Sequence, residues 1–177
     1  MSGNSTLNDY GDMCYGCYNL KKIAPTFFIN DNPDGYDINC QNMFNESGIE
    51  SIEHNLFAKV VKGYCYCYNM FARCCNLITV YNLSIPNKSN TYGMFDSCTS
   101  LYSIDGKTLV ERWTTGHYGS HEYMFYDCYN MTGSFIEYYW WAQYEGGPVN
   151  WHSWNYYGIF YNCTSLSNYD SIPSDWK

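Results

Sequence analysis

Ten cysteines and four histidines give this chain its widest choice of chemistry: disulfides, zinc, thiol nucleophiles or redox couples. Cys14 and Cys17 have the gap of a redox pair or of half a zinc site. Cys65 and Cys67 flank one residue, Cys74 and Cys75 are adjacent, and Cys40 stands alone upstream. His117 and His121 would share one face of a helix, as a pair that begins a zinc site does. No Glu adjoins His117 and no cysteine pair has finger spacing, so both histidines are expected as loop or capping residues. His54 and His152 are isolated, and no Ser-His-Asp or Cys-His order for nucleophilic catalysis emerges. Asn30, Asn32, Asp34 and Gly35 fall at calcium-loop offsets, but the leading Asp and closing Glu are missing and Pro33 intrudes; a turn is expected there. The carboxylates form no distinctive pair for glycoside hydrolysis. The expectation is a protein that is not an enzyme and carries no metal or cofactor.

The elements that position the cysteines come from a repeat. Met-Phe, two residues, Cys, two residues, Leu, two residues and Ile recur as Met94-Phe95, Cys98, Leu101, Ile104 and as Met70-Phe71, Cys74, Leu77, Val80. Further copies are Ile159-Phe160, Cys163, Leu166, Tyr169, then Met124-Phe125, Cys128, Met131, Ser134, and Met13-Cys14, Cys17, Leu20, Ile23. The copy at Met43-Phe44, Ser47, Ile49, Ile52 is one residue short. Starts at 13, 43, 70, 94, 124 and 159 are separated by 24 to 35 residues, within the range of solenoid coils. Each copy reads as a short helical turn carrying Met-Phe, a corner at Cys, and a short strand through Leu-x-x-Ile. One such unit cannot bury its apolar side alone, so the units must stack. Cys17, Cys74, Cys98, Cys128 and Cys163 are then expected as a buried column, since a free thiol packs as a small hydrophobe. Cys40 and Cys67 both lie three residues before their Met, and neighbouring coils would bring them together; a disulfide there requires an oxidising compartment.

A chain of 177 residues can bury a core in one domain. Aromatic residues make up 20%, including 21 Tyr, while charged residues make up only 15%, so neutral polar groups and tyrosine must form much of the surface. The net charge of -8 argues against direct nucleic-acid binding, which needs clustered Lys and Arg. No segment is apolar for the roughly 18 residues of a membrane helix. The opening residues lack the basic start and apolar run of a secretory signal, so a cytoplasmic protein is expected.

The segments "MFARCCNL", "MFDSCTSL", "MFYDCYNM" and "IFYNCTSL" resemble the Met-Phe-x-x-Cys-x-x-Leu signature of BspA-like leucine-rich repeats, over roughly residues 10 to 173. Cys14 stands where the signature has Phe, Ser47 where it has Cys, and Met131 where it has Leu. The resemblance implies one leucine-rich-repeat-like solenoid over 1–177, with about six irregular coils. Short parallel strands would line one face and short helical turns the other, with an N-terminal tail over 1–9 and an aromatic-rich insertion over 138–157. It also points to bacteria, their phages or protists, and to binding rather than catalysis.

Two surfaces are expected to bind. The outward stripe of the strand face would carry Glu53, Tyr81, Asp105, Phe135, Glu137 and Asp170, acidic and dotted with aromatics, as a basic protein partner requires. The insertion concentrates Trp140, Trp141, Tyr144, Trp151 and Trp154, to be shared between covering the end of the solenoid and forming a binding platform for protein or glycan. The expected function is a protein-interaction module: a phage or mobile-element inhibitor that blocks a basic, nucleic-acid-binding defence protein in the host cytosol. The alternative is an adhesin module on a cell or virion surface that binds a receptor or glycan.

Overall fold

The computed structural model describes residues 8–25, 37–57, 64–83, 85, 89–104, 120–134 and 157–177. Within them lie β1 (Asn8–Asp9), β2 (Ile38–Asn39), β3 (Ser51–Ile52), β4 (Cys65–Tyr66), β5 (Thr79–Val80), β6 (Ser89–Asn90) and β7 (Ser103–Ile104). The strands form two parallel sheets, ordered β1-β2-β4-β6 and β3-β5-β7. Register follows the motif: Ile52 lies beside Val80, and Val80 beside Ile104. The second sheet is the expected Leu-x-x-Ile strand face. The first, whose strands precede Met13, Met43, Met70 and Met94, was not anticipated, because Asn-Asp, Ile-Asn, Cys-Tyr and Ser-Asn share no apolar alternation. Asn8 and Asp9, expected in a tail, are its edge strand, paired with Ile38 and Asn39.

The segments carrying Met-Phe are not helical. Six turns of six residues span 11–16, 41–46, 68–73, 92–97, 122–127 and 157–162. In each, the residue before Met (Ile in the sixth) and the third residue after it have left-handed backbones: Asp12 and Gly16, Asn42 and Glu46, Asn69 and Arg73, Gly93 and Ser97, Tyr123 and Asp127, Gly158 and Asn162. Alternate N–H groups close locally, as Met43 does on Cys40 and Asn45 on Asn42. The groups between them donate to the next copy: Asn42 to Tyr68 at 2.9 Å, Phe44 to Met70 at 2.9 Å, Glu46 to Ala72 at 2.9 Å. A helix directs its interior N–H groups to its own carbonyls and would leave nothing to hold the neighbour. The left-handed residues swing alternate amides outward, so the expected helical turns give way to a parallel ladder.

Side chains on the inner side form columns. Phe44, Phe71, Phe95, Phe125 and Phe160 stack nearly parallel, with centroids 5.4 to 5.7 Å apart. Each is essentially fully buried, which stabilises the fold by roughly 1.5–3 kcal/mol per ring. Met43, Met70, Met94 and Met124 form a second buried column. Beyond Phe160 the chain closes the stack itself: short 3-10 turns at Tyr169–Ser171 and Ser174–Trp176 bring buried Ile172 and Trp176 over the last layer. Phe160 donates its N–H to the Trp176 carbonyl at 2.8 Å. The segment 138–157, expected to share in covering this end, lies outside the described residues except for Tyr157, the first residue of the sixth turn.

The short second copy is accommodated at Gly48. The missing residue falls between Ser47 and Ile49, where the other copies have a small turn, and the backbone there runs straight against the first layer. A Cβ at Gly48 would lie 1.9 Å from the Tyr18 carbonyl oxygen, so only glycine fits.

Two substitutions test this packing by chemical denaturation. Phe71→Ala, in mid-column, is expected to destabilise by about 3–5 kcal/mol. Gly48→Ala is expected to cost about 1–3 kcal/mol, because its methyl must displace backbone rather than a side chain.

Candidate functional site

The buried thiols settle into structural roles. Cys74, Cys98, Cys128 and Cys163 are buried in one column, and each Sγ donates to the carbonyl of the Phe one layer earlier: to Phe44, Phe71 and Phe95 at 3.1 Å and to Phe125 at 3.0 Å. The Phe71 carbonyl also accepts the Cys74 N–H at 3.2 Å, so both of its lone pairs are used. Ser47 fills the column place in the second layer, 3.3 Å from the Cys74 Sγ. Cys17, expected inside, is exposed in the first layer, where no described layer precedes it. Burial pushes the Cys74 thiol up to about 11 and raises those of Cys98, Cys128 and Cys163 as well. Raised thiols are poor nucleophiles and poor metal ligands.

Cys40 and Cys67 are both buried and free. Cys65, on the strand beside them, comes between: it lies 3.4 Å from the Cys67 Sγ, and its hydrogen bond with Cys40, with burial second, raises the Cys40 thiol. His121, expected in a loop or cap, is instead buried, its Nδ1 2.6 Å from the Thr91 Oγ1 in the adjacent layer. His117 and most of the calcium-like segment lie outside the described residues.

The turns carry a feature the strand-face analysis missed. Along their outer edge, Tyr68 stacks on Tyr92 with centroids 4.8 Å apart, and Tyr92 meets Tyr123 edge-on at 5.4 Å. Tyr123 in turn meets Tyr126 and Tyr157 edge-on, each at 5.7 Å, and Tyr126 stacks on Tyr161 at 4.6 Å. Tyr157 and Tyr161 are exposed, and Tyr68, Tyr92, Tyr123 and Tyr126 are half-buried. Asp96, Glu122 and Asp127 lie among the rings; no Lys or Arg occurs at 89–104, 120–134 or 157–162, while Arg73, in the turn of Tyr68, lies near Asp96 and pairs with Glu46 at 3.0 Å. Asp96 accepts from the Ser97 hydroxyl at 2.7 Å, yet partial burial, aided by the nearby Asp127, raises its carboxyl. Asp127 accepts from the Asn162 amide at 2.9 Å.

Tyr123 sits at the centre of this edge with φ of 55°, where the other layers have Asp, Asn or Gly. A bulky side chain there costs of order 1–3 kcal/mol. Gly158 in the next layer makes room: a Cβ on it would come within 2.9 Å of the Tyr123 ring.

Of the residues expected to bind, Glu53 and Tyr81 are exposed on adjacent layers, the Tyr81 N–H donating to the Ile52 carbonyl at 2.7 Å. Glu53 is already engaged: the Ser51 hydroxyl at 2.8 Å and Lys22 at 3.7 Å hold its carboxyl below the usual range. Asp170 is not on the strand face. The sixth copy forms a 3-10 turn there instead of a strand, and the Asp170 carbonyl accepts from Lys177. Asp105, Phe135, Glu137, Trp140, Trp141, Tyr144, Trp151 and Trp154 lie outside the described residues. The tyrosine edge had a signal, for the place two residues before Met (Ile in the sixth copy) reads Tyr68, Tyr92, Glu122 and Tyr157. It was masked because the turn was expected to be helical. Among the described residues no helix is long and apolar enough to cross a membrane. No protein-family model, curated protein or solved structure matches the chain.

Two outcomes test the thiol assignment. Iodoacetamide on the native protein at neutral pH is expected to modify Cys17 and Cys75 first, with the seven buried cysteines reacting only after denaturation, read by mass spectrometry. Because the column thiols are raised in the folded state, their contribution is fully present below 9.0, the ordinary thiol value, and is lost as pH rises beyond it. The urea midpoint is expected to fall above about pH 9, where unfolded thiols ionise and folded ones do not.

Proposed function

We propose that the protein is a small leucine-rich-repeat-like solenoid that acts by recognising a basic protein partner through the tyrosine and carboxylate edge of its turns. The chain's net charge of -8 draws such a partner in, and Asp96, Glu122 and Asp127 orient its arginines. Guanidinium groups stack on tyrosine faces, and tyrosine offers large contact area with little side-chain entropy to lose. The observation that carries this reading is Tyr123, a bulky ring kept on a left-handed backbone in the middle of the patch. Its contacts with Tyr92, Tyr126 and Tyr157 offset that strain and hold the phenol ring at the centre of the edge. The BspA-like motif and the acidic surface together favour a phage or mobile-element product that blocks a nucleic-acid-binding defence protein, its carboxylates competing with phosphate for the same arginines. On this reading the protein is an inhibitor by occupancy and not an enzyme.

The test uses a deca-arginine peptide as probe, followed by amide chemical shifts and calorimetry. Binding is expected to weaken with salt, to move amides at 92–97, 122–127 and 157–162, and to drop by about tenfold, or about 1.4 kcal/mol, when Asp96→Asn and Asp127→Asn are combined. Tyr123→Asn is expected to weaken binding similarly while leaving stability within about 1 kcal/mol, since relief of backbone strain offsets the lost ring contacts. Shifts spread evenly over the acidic surface, or affinity indifferent to these substitutions, would overturn the assignment.

A further inference from the structure

All ten cysteines are among the described residues, so no thiol of this chain is missing from the choice of partners. In the third to sixth layers the column thiols of Cys74, Cys98, Cys128 and Cys163 each donate to a carbonyl one layer earlier, and a buried Phe occupies the place three residues before. The first layer departs from this at both places. Cys14 stands in the Phe place, part-buried, and Cys17 is exposed. Each has the other for a neighbour, and the Cys14 thiol shares a hydrogen bond with that of Cys17.

The backbone here suits a bond between the two sulfurs. Cys14 and Cys17 end a β-turn centred on Tyr15 and Gly16: the Cys17 N–H donates to the Cys14 carbonyl at 3.2 Å, and Gly16 has a φ of 65°. Such a turn keeps its end Cα atoms within about 7 Å, and a disulfide spans roughly 4.4–6.8 Å. The second layer fixes both ends, with the Cys14 N–H on the Met43 carbonyl at 2.8 Å and the Gly48 N–H on the Cys17 carbonyl at 3.1 Å. Side-chain rotation then brings the sulfurs together. The other thiol cluster, Cys40, Cys65 and Cys67, is fully buried and closed to a dissolved oxidant. Cys75 is exposed, but its Sγ faces the Ser97 carbonyl at 3.8 Å, and the adjacent Cys74 points inward to Phe44.

We propose that Cys14 and Cys17 are a dithiol–disulfide couple that exchanges with low-molecular-weight disulfides of the glutathione type. Cys17, the exposed thiol, loses its proton and attacks one sulfur of the small disulfide; that S–S bond breaks, a mixed disulfide forms at Cys17, and one small thiolate leaves. Cys14 then gives up its proton and attacks the Cys17 sulfur, expelling the second small thiolate. Two protein thiols are oxidised to one disulfide, one small disulfide is reduced to two thiols, and the two protons released are taken up by the two thiolates. The first step eases the second. Burial, then the charge of Cys17 and its hydrogen bond, raise the Cys14 thiol, and the last two causes vanish once Cys17 is capped. The couple is independent of the tyrosine edge, which lies on the third to sixth layers.

The test places the full-length protein in buffers of oxidised and reduced glutathione, followed by acid quenching, N-ethylmaleimide labelling and peptide mapping by mass spectrometry. As oxidised glutathione rises, the segment holding Cys14 and Cys17 is expected to lose two hydrogens and both labelling sites, reversibly with dithiothreitol. Cys75 is expected to end as its glutathione mixed disulfide. Cys14→Ser is expected to trap Cys17 as the glutathione adduct, which does not build up in the unaltered protein. A stable adduct on Cys17 of the unaltered protein with Cys14 still free overturns the proposal, as does a disulfide from either residue to any other cysteine. Resistance of both thiols at ratios that modify Cys75 overturns it too, and these outcomes need no variant to fold.

Discussion

The interaction on which this structure depends is a division of labour among backbone amides within a six-residue turn. One amide in two closes the turn on itself, and the other reaches the next layer. Left-handed residues on either side of Met-Phe make the alternation geometrically available, and Gly, Asn and Asp hold many of these places because they tolerate that conformation at least cost. The phenylalanine stack, the methionine column and the thiol column all follow from the register this ladder imposes.

The same ladder explains why buried cysteine is abundant without being reactive. A thiol at the corner is small enough for the column and can donate to a carbonyl that the ladder leaves with one free lone pair. Ser47 takes the same column place in the second layer, 3.3 Å from the Cys74 Sγ, so the place accepts a small polar group other than a thiol. The half-buried Asp96 and the ring of Tyr123 are of another kind. Asp96 is held partly desolvated and Tyr123 on a left-handed backbone, and both lie on the same outer edge as the aligned tyrosines.

A stack of this type must also deal with its ends, because the last layer on each side exposes what the others bury. After the sixth turn this chain folds back over the last layer, where Trp176 is buried and its carbonyl accepts the Phe160 N–H. In the first layer Cys14 stands where later layers have Phe, and the thiol of Cys17 is exposed where theirs are buried.

The sequence by itself determined the positions of the copies and most members of the columns, because Met, Phe, Cys and Leu recur at fixed offsets in them; Met13 and Cys17 of the first copy, which are exposed, are the exceptions. It also placed Ile52, Val80 and Ile104 on one strand face. Only the tertiary structure decided that Met-Phe rides on a ladder turn instead of a helix. Whether an amide bonds inward or to its neighbour depends on a second layer that no single copy contains. For the same reason the β1-β2-β4-β6 sheet, the sealing by Trp176, the neighbours of Cys40 and the burial of His121 were out of reach of motif reading. Each is a contact between layers, set by which residues the stacking places side by side.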